Sequence, residues 1–168
     1  MTQLSRRQAL GLASSAALLL AGCGFELRRE PELQFKTLAL QGFQPASPLT
    51  LELRRQIERS TVQLLDDPNR ADVVLEARRD TQRKTQVVPG IAGQVREWQL
   101  RLELDYLVRT PAGEILLPRT ELLMTRDMNY AEGQALAKEQ EELQLFRAMQ
   151  YDAAAQVMRR LAAVRLKN

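Results

Sequence analysis

The sequence predicts an α+β two-layer sandwich: two amphipathic helices packed on a four-stranded, largely antiparallel or mixed sheet, in the order β-α-β-β-β-α. Three observations predict it. Residues 94–109 alternate almost without a break, Trp98, Leu100, Leu102, Leu104, Tyr106 and Val108 against Gln99, Arg101, Glu103, Asp105 and Arg109. Period-two patterning of that length marks a strand with one buried face. The turn sequence Thr110-Pro111-Ala112-Gly113 then leads into a second long strand candidate. Two other stretches, one after Ser47-Pro48 and one closing the chain, space their apolar residues by three and four, as helices do.

The elements follow in order. Phe35 to Gln41 reads as a short strand ended by Gly42. Ser47 is a good N-cap and Pro48 suits the first helical position. Leu49, Leu53, Ile57 and Leu64 share a face of the helix so opened, and Asp66-Asp67-Pro68-Asn69 is expected to stop it. From Asp72 to Lys84 a strand places Val73, Leu75 and Ala77 on one face, then turns basic at Arg78, Arg79, Arg83 and Lys84. Residues 89–93, Pro-Gly-Ile-Ala-Gly, make a loop before the alternating strand. Glu114 to Met128 is the returning partner, and Pro118, which lacks an N–H, places that strand at an edge or a bulge. Asn129 is positioned to cap a final helix whose stripe runs Leu136, Leu143, Phe146, Met149, Ala153, Val157, Leu161. Acids crowd its first half and bases its end, which suits the helix dipole. Trp98 and Tyr106 share a face with Leu100 to Leu104, so both are expected in the core.

The N-terminus reads differently. Arg6 and Arg7 precede an apolar run from Ala9 to Leu20, and Leu20-Ala21-Gly22-Cys23 follows. A bilayer takes about 20 apolar residues, so this run is too short to span one and has the length of a signal-peptide core. Cys23 is the sole cysteine. The arrangement looks like a bacterial lipoprotein box: residues 1–22 removed, Cys23 carrying a diacylglyceryl group and a further acyl chain, residues 23–34 a tether, and residues 35–168 a single domain. Several acyl chains on one residue anchor stably where one holds marginally. Gly24, with no Asp at that position, points to the periplasmic side of the outer membrane. Ser5-Arg6-Arg7 leaves the general and twin-arginine export routes both open.

Composition excludes several function classes. The 168-residue chain carries a net charge of +3, and the proposed signal holds two arginines and no acid, leaving +1. A near-neutral exported domain is a poor nucleic-acid binder. With no histidine and its one thiol acylated, the chain lacks the commonest general base, metal ligand and thiol nucleophile. Carboxylate-only catalysis rests on Glu139, Glu141 and Glu142, which read better as a solvated helix face. No enzyme, metal or cofactor beyond the covalent lipid is expected.

Taken in sequence order, Cys23-Gly24-Phe25-Glu26-Leu27-Arg28, Arg96-Glu97-Trp98-Gln99, the run Ala135-Leu136-Ala137-Lys138-Glu139-Gln140-Glu141, Phe146-Arg147-Ala148-Met149 and Asp152-Ala153-Ala154 resemble the LPS-assembly lipoproteins of the LptE (RlpB) family. The resemblance implies a non-enzymatic outer-membrane lipoprotein that plugs and helps assemble the LptD β-barrel and binds lipopolysaccharide during its insertion into the outer leaflet. It also implies a phosphate-binding role for Lys138. The family's second basic residue belongs where Ile91 or Ala92 stands here, so Arg83, Lys84 and Arg96, which flank the loop, are the candidate replacements. Otherwise Arg78, Arg79, Arg83 and Lys84 make a charged edge strand that resists aggregation, and Lys138 an intrahelical pair with Glu141 or Glu142. Ile91 is the candidate contact to the barrel wall. The alternative class is a free-standing, periplasm-facing lipid or lipoprotein carrier, which needs an unfilled apolar pocket. A carboxylate cell-wall hydrolase ranks third.

Overall fold

The structure, a computed structural model, describes residues 32–89, 95–129 and 135–166. Cys23 and the signal and tether segment before residue 32 lie outside the described residues, as do Ile91 and the loop around it. The order is β1 (Thr37–Gln41), α1 (Pro48–Glu58), β2 (Gln63–Leu65), a 3-10 turn (Pro68–Arg70), β3 (Val73–Pro89), β4 (Val95–Arg109), β5 (Ile115–Asn129) and α2 (Ala135–Ala162). Both helices pack against one face of a mixed sheet with strand order β2-β1-β3-β4-β5. The α+β class stands, but the sheet has five strands and not four. The extra one, β2, pairs parallel to β1 over three residues, Leu38 opposite Leu64.

That strand also corrects the extent of the first helix. Leu64 fits the helical stripe by spacing, yet α1 ends at Glu58. Ser60 turns the chain out of the helix: its Oγ donates to the Ile57 carbonyl at 2.6 Å and accepts from the Val62 N–H at 3.2 Å. A short hydroxyl side chain competes with the helical ladder in this way. The helix start is as the sequence predicts. Ser47 Oγ accepts from the Thr50 N–H at 3.1 Å and donates to Asp80 Oδ2 at 2.6 Å, tying the cap to β3. Ser47→Ala should cost about 1 kcal/mol, typical of a lost N-cap, read as a lower urea midpoint at unchanged slope.

β1 and β3 run parallel, held in register by Asp72. Its carboxylate accepts from the Lys36 and Thr37 N–H groups at 3.0 and 2.9 Å, while Thr37 Oγ1 accepts from the Asp72 N–H at 2.8 Å. Partial burial pushes the Asp72 carboxyl up, but these donors outweigh it and hold it below the usual carboxylate range.

The β4 alternation holds in space. Leu100, Leu102, Leu104, Tyr106 and Val108 are buried beneath the helices, with Val73, Leu75 and Ala77 of β3, Leu49, Leu53 and Ile57 of α1, and Met149, Ala153, Val157 and Leu161 of α2. Trp98, the first of the series, is only half-buried. The α2 stripe is shorter than its spacing predicts: Leu136 is 73% and Leu143 49% exposed. α1 is 11 residues long against 28 for α2, and its Gln56 reaches α2 at the Tyr151 carbonyl. The buried run of α2 correspondingly begins at Met149. Asn129 closes β5, and residues 130–134, between it and Ala135, lie outside the described residues, as does the start of α2 that it is expected to cap.

Pro118 satisfies both of its predicted placements. β5 is an outer strand, and between Tyr106↔Thr120 and Val108↔Leu117 it spends one residue more than β4, a bulge holding Pro118 and Arg119. A second bulge at Arg78 interrupts β3 opposite the same stretch of β4. β3 is central by strand order, but β1 pairs with it only as far as Gln41↔Glu76. The basic run from Arg78 onward therefore has a partner strand, β4, on one side alone and lies at an edge, as the charged-edge reading expects. Much of that run is paired on the face away from the helices: Arg78 to Glu76 at 2.9 Å and Arg79 to Glu103 at 3.7 Å.

Candidate functional site

The residues singled out for anion binding divide between the two faces of the sheet. Lys84 stands opposite Leu100 and Arg83 opposite Arg101. Leu100 faces the helices, so Lys84 projects toward α2 while Arg83 lies on the outer face beside Arg101. Neighbours in sequence, the two cannot grip one phosphate. Arg96 sits in the first residues of β4, and its side chain lies outside the described residues.

On the helix side a compact charged group assembles near the β3–β4 hairpin end. Lys84 Nζ donates to Glu142 Oε2 at 2.5 Å. The same ammonium lies 4.7 Å from the centroid of the Trp98 ring, within the range of a cation–π contact. One helical turn before Glu142, about 6 Å along the axis, Lys138 donates to Glu141 at 2.7 Å. The Lys138 side chain is only 18% exposed. Local rules explain how the group forms. Lys138 and Glu141, three apart, meet on the helix surface. Lys84 and Trp98 are diagonal neighbours on one face of an antiparallel pair, since Gln86 stands opposite Trp98.

Lys84 and Lys138 thus each pair with a carboxylate on one turn of α2, and the sequence anticipated the Lys138–Glu141 pair as the intrahelical alternative. It missed Glu142 as the partner of Lys84 and Trp98 as the platform beneath it. The exception of Trp98 from full burial is the structural reason: a ring at the rim of the core has one face free for a cation. Glu142 and Lys84 are 58 positions apart, and no local spacing joins them.

The group holds two cations and two carboxylates, arranged as a half-buried rim. That composition suits reversible contact with an anionic head group and offers no acid–base pair on a reacting centre. Among the described residues no cluster of three or more Asp, Glu, His or Cys is placed to hold a metal ion. Among them, too, no helix is long and apolar enough to cross a membrane.

The family pattern described as LptE, Lipopolysaccharide-assembly, matches residues 35–161. An LPS-assembly lipoprotein LptE from Yersinia enterocolitica is 35% identical over 158 residues, covering 91% of this chain and 74% of that one. Its counterpart in Pectobacterium atrosepticum is 33% identical over 158 residues, covering 92% and 83%. Among solved structures, lipoprotein B from Nitrosomonas europaea superposes with a TM-score of 0.70 at 24% identity, over 83% of this chain and 91% of that one, a likeness of fold. A minor lipoprotein from Acinetobacter baumannii gives 0.62 at 26% identity, over 78% and 93%. Matched by the family pattern over residues 35–161, the chain belongs to the LptE family of lipopolysaccharide-assembly lipoproteins.

Proposed function

We propose that the chain is a lipoprotein anchored through Cys23 to the periplasmic side of the outer membrane, where it plugs and helps assemble the LptD barrel and binds lipopolysaccharide in transit. The observation that carries the lipopolysaccharide half is that Lys84 and Lys138 reach adjacent carboxylates, Glu142 and Glu141, on the same turn of α2. Lipid A phosphates are the anions this rim would meet. Arg96 enters the same β-hairpin and is assigned with them; Arg83, on the other face, contributes only long-range attraction. Ile91, in the loop between β3 and β4, is assigned to the barrel wall. The family relationship supports the barrel half, since the relatives are named for LPS assembly.

Two experiments test this. A tagged, full-length chain pulled from detergent-solubilised outer membranes without heating should bring down a large β-barrel at roughly one to one. Recovery alone from membranes rich in it would favour the carrier class, and bound lipid would be the next thing sought. Separately, the charge reversals Lys138→Glu and Arg96→Glu should weaken lipopolysaccharide binding about tenfold or more at low salt. That effect should shrink near 0.5 M salt, where screening falls within a few ångströms. Unchanged binding at low salt would remove both residues from the site.

A further inference from the structure

The two lysines are already occupied. Lys84 is held by Glu142 and Lys138 by Glu141, so the four described charges at the rim sum to zero. An incoming phosphate meets a neutralised surface and must exchange with a carboxylate. The two acids are not equivalent. Glu141 is 44% exposed, and water and salt screen it well. Glu142 is 23% exposed and its Lys84 partner 31%, so their attraction is less screened and the contact shorter.

Resting on the reading above that this rim takes up a phosphorylated lipid, we propose that Glu142 is a built-in competitor for that ligand. Its carboxylate occupies Lys84 in the free protein and is displaced when a phosphate binds. Glu142 thereby lowers affinity and speeds release, which suits a protein that must pass its cargo on. The alternative role, that Glu142 merely holds Lys84 in place, is answered by Trp98. The ring lies under the ammonium and keeps it at the rim whether or not the carboxylate is charged.

The test measures binding of purified lipopolysaccharide to the full-length protein in detergent, at low salt, for Glu142→Gln, Glu139→Gln, Lys84→Gln and the wild type. Glutamine keeps the helix and can still accept a hydrogen bond from Lys84. Glu139 is an exposed acid on the same helix and controls for net charge alone. Removing a competing charge at this range corresponds to roughly a threefold to tenfold tighter Kd for Glu142→Gln. Glu139→Gln should change less than twofold, Lys84→Gln should weaken binding, and the gain from Glu142→Gln should vanish with dephosphorylated lipopolysaccharide. Weaker binding in both Glu142→Gln and Lys84→Gln would overturn the competitor role and leave Lys84 in the site. Equal effects of Glu142→Gln and Glu139→Gln would reduce it to net charge. No effect of Lys84→Gln would overturn this inference and the Lys84 assignment together, while the family membership and the barrel partnership would stand.

Discussion

Gly42→Ala is expected to destabilise the domain by about 3 kcal/mol or more, the larger effect of the two described glycines. Gly42 ends β1 with φ +74°, a left-handed conformation that costs an L-residue roughly 1–2 kcal/mol. Space is the larger obstacle. A Cβ built there would lie 2.2 Å from the Ala77 carbonyl oxygen and 3.2 Å from its carbon. Ala77 immediately precedes the Arg78 bulge of β3, so the obstructing group is main chain in the central strand and cannot swing aside. Relief requires β1 to move from β3, which breaks the Gln41–Glu76 register and disturbs the buried Leu38 and Ala39. Gly113 separates the two contributions. Its φ is +95° but nothing lies within 4 Å of an added Cβ, so Gly113→Ala should cost only the conformational part, about 1 kcal/mol. Urea titration of both variants checks this, and equal losses would mean that the approach to Ala77 is relaxed without cost.

What the sequence made legible follows from range. The β4 alternation, the Ser47 cap, the Thr110–Gly113 turn and the Pro118 bulge are each decided within a few residues of themselves, and each stands in the structure. In the turn, the Thr110 N–H donates to the Glu114 carbonyl at 2.8 Å and the Gly113 N–H to the Thr110 carbonyl at 3.0 Å. The misreadings arise where a local pattern has two outcomes. Leu64 sits seven residues after Ile57 and so continues a helical stripe, but the same Leu is apolar enough for a three-residue strand beside β1. Ser60, which decides between them, carries no distinctive signal. Leu136 and Leu143 keep the helical period, yet whether a stripe is buried depends on what lies opposite, and α1 is too short to cover them.

The candidate site divides along the same line. Charge near a loop is visible in the chain and singles out Lys84 and Lys138 as candidates, and Arg83 joins them because proximity in sequence looks like proximity in space. In a strand it is the opposite: adjacent side chains face opposite ways. The parity of the β3–β4 pairing excludes Arg83 from the Lys84 rim, and that parity depends on the bulge at Arg78, which no composition reveals.

Arg119→Gln should lower Tm by several degrees at pH 7, and the gap to the wild type should close as the pH falls toward about 3. The two bulges bracket the reason. Asp105 of β4 is 3% exposed on the face away from the helices. The Pro118–Arg119 bulge aims a guanidinium at it, Arg119 Nε donating to both carboxylate oxygens at 2.9 and 3.0 Å and Nη2 also to Oδ2. This forked contact holds the Asp105 carboxyl below its usual range against the upward push of burial, with smaller attractions from Arg79 and Arg78. A lowered native pKa stabilises the fold above the unfolded value, near 3.9, and that contribution is lost as pH falls through the native value. Without Arg119 the sign turns. Burial then disfavours the charged form, and the penalty is present at neutral pH and relieved by protonation. Asp105→Asn is the informative partner. It removes the charge that needs compensation and frees an arginine whose side chain is already 62% exposed, so it should cost less than Arg119→Gln and show a flatter dependence on pH. In the double variant the two losses should fall short of their sum, the sign of a buried charge that is harmful only when left alone. A constant gap between Arg119→Gln and the wild type from pH 7 to 3 would show that Asp105 tolerates its burial without the guanidinium.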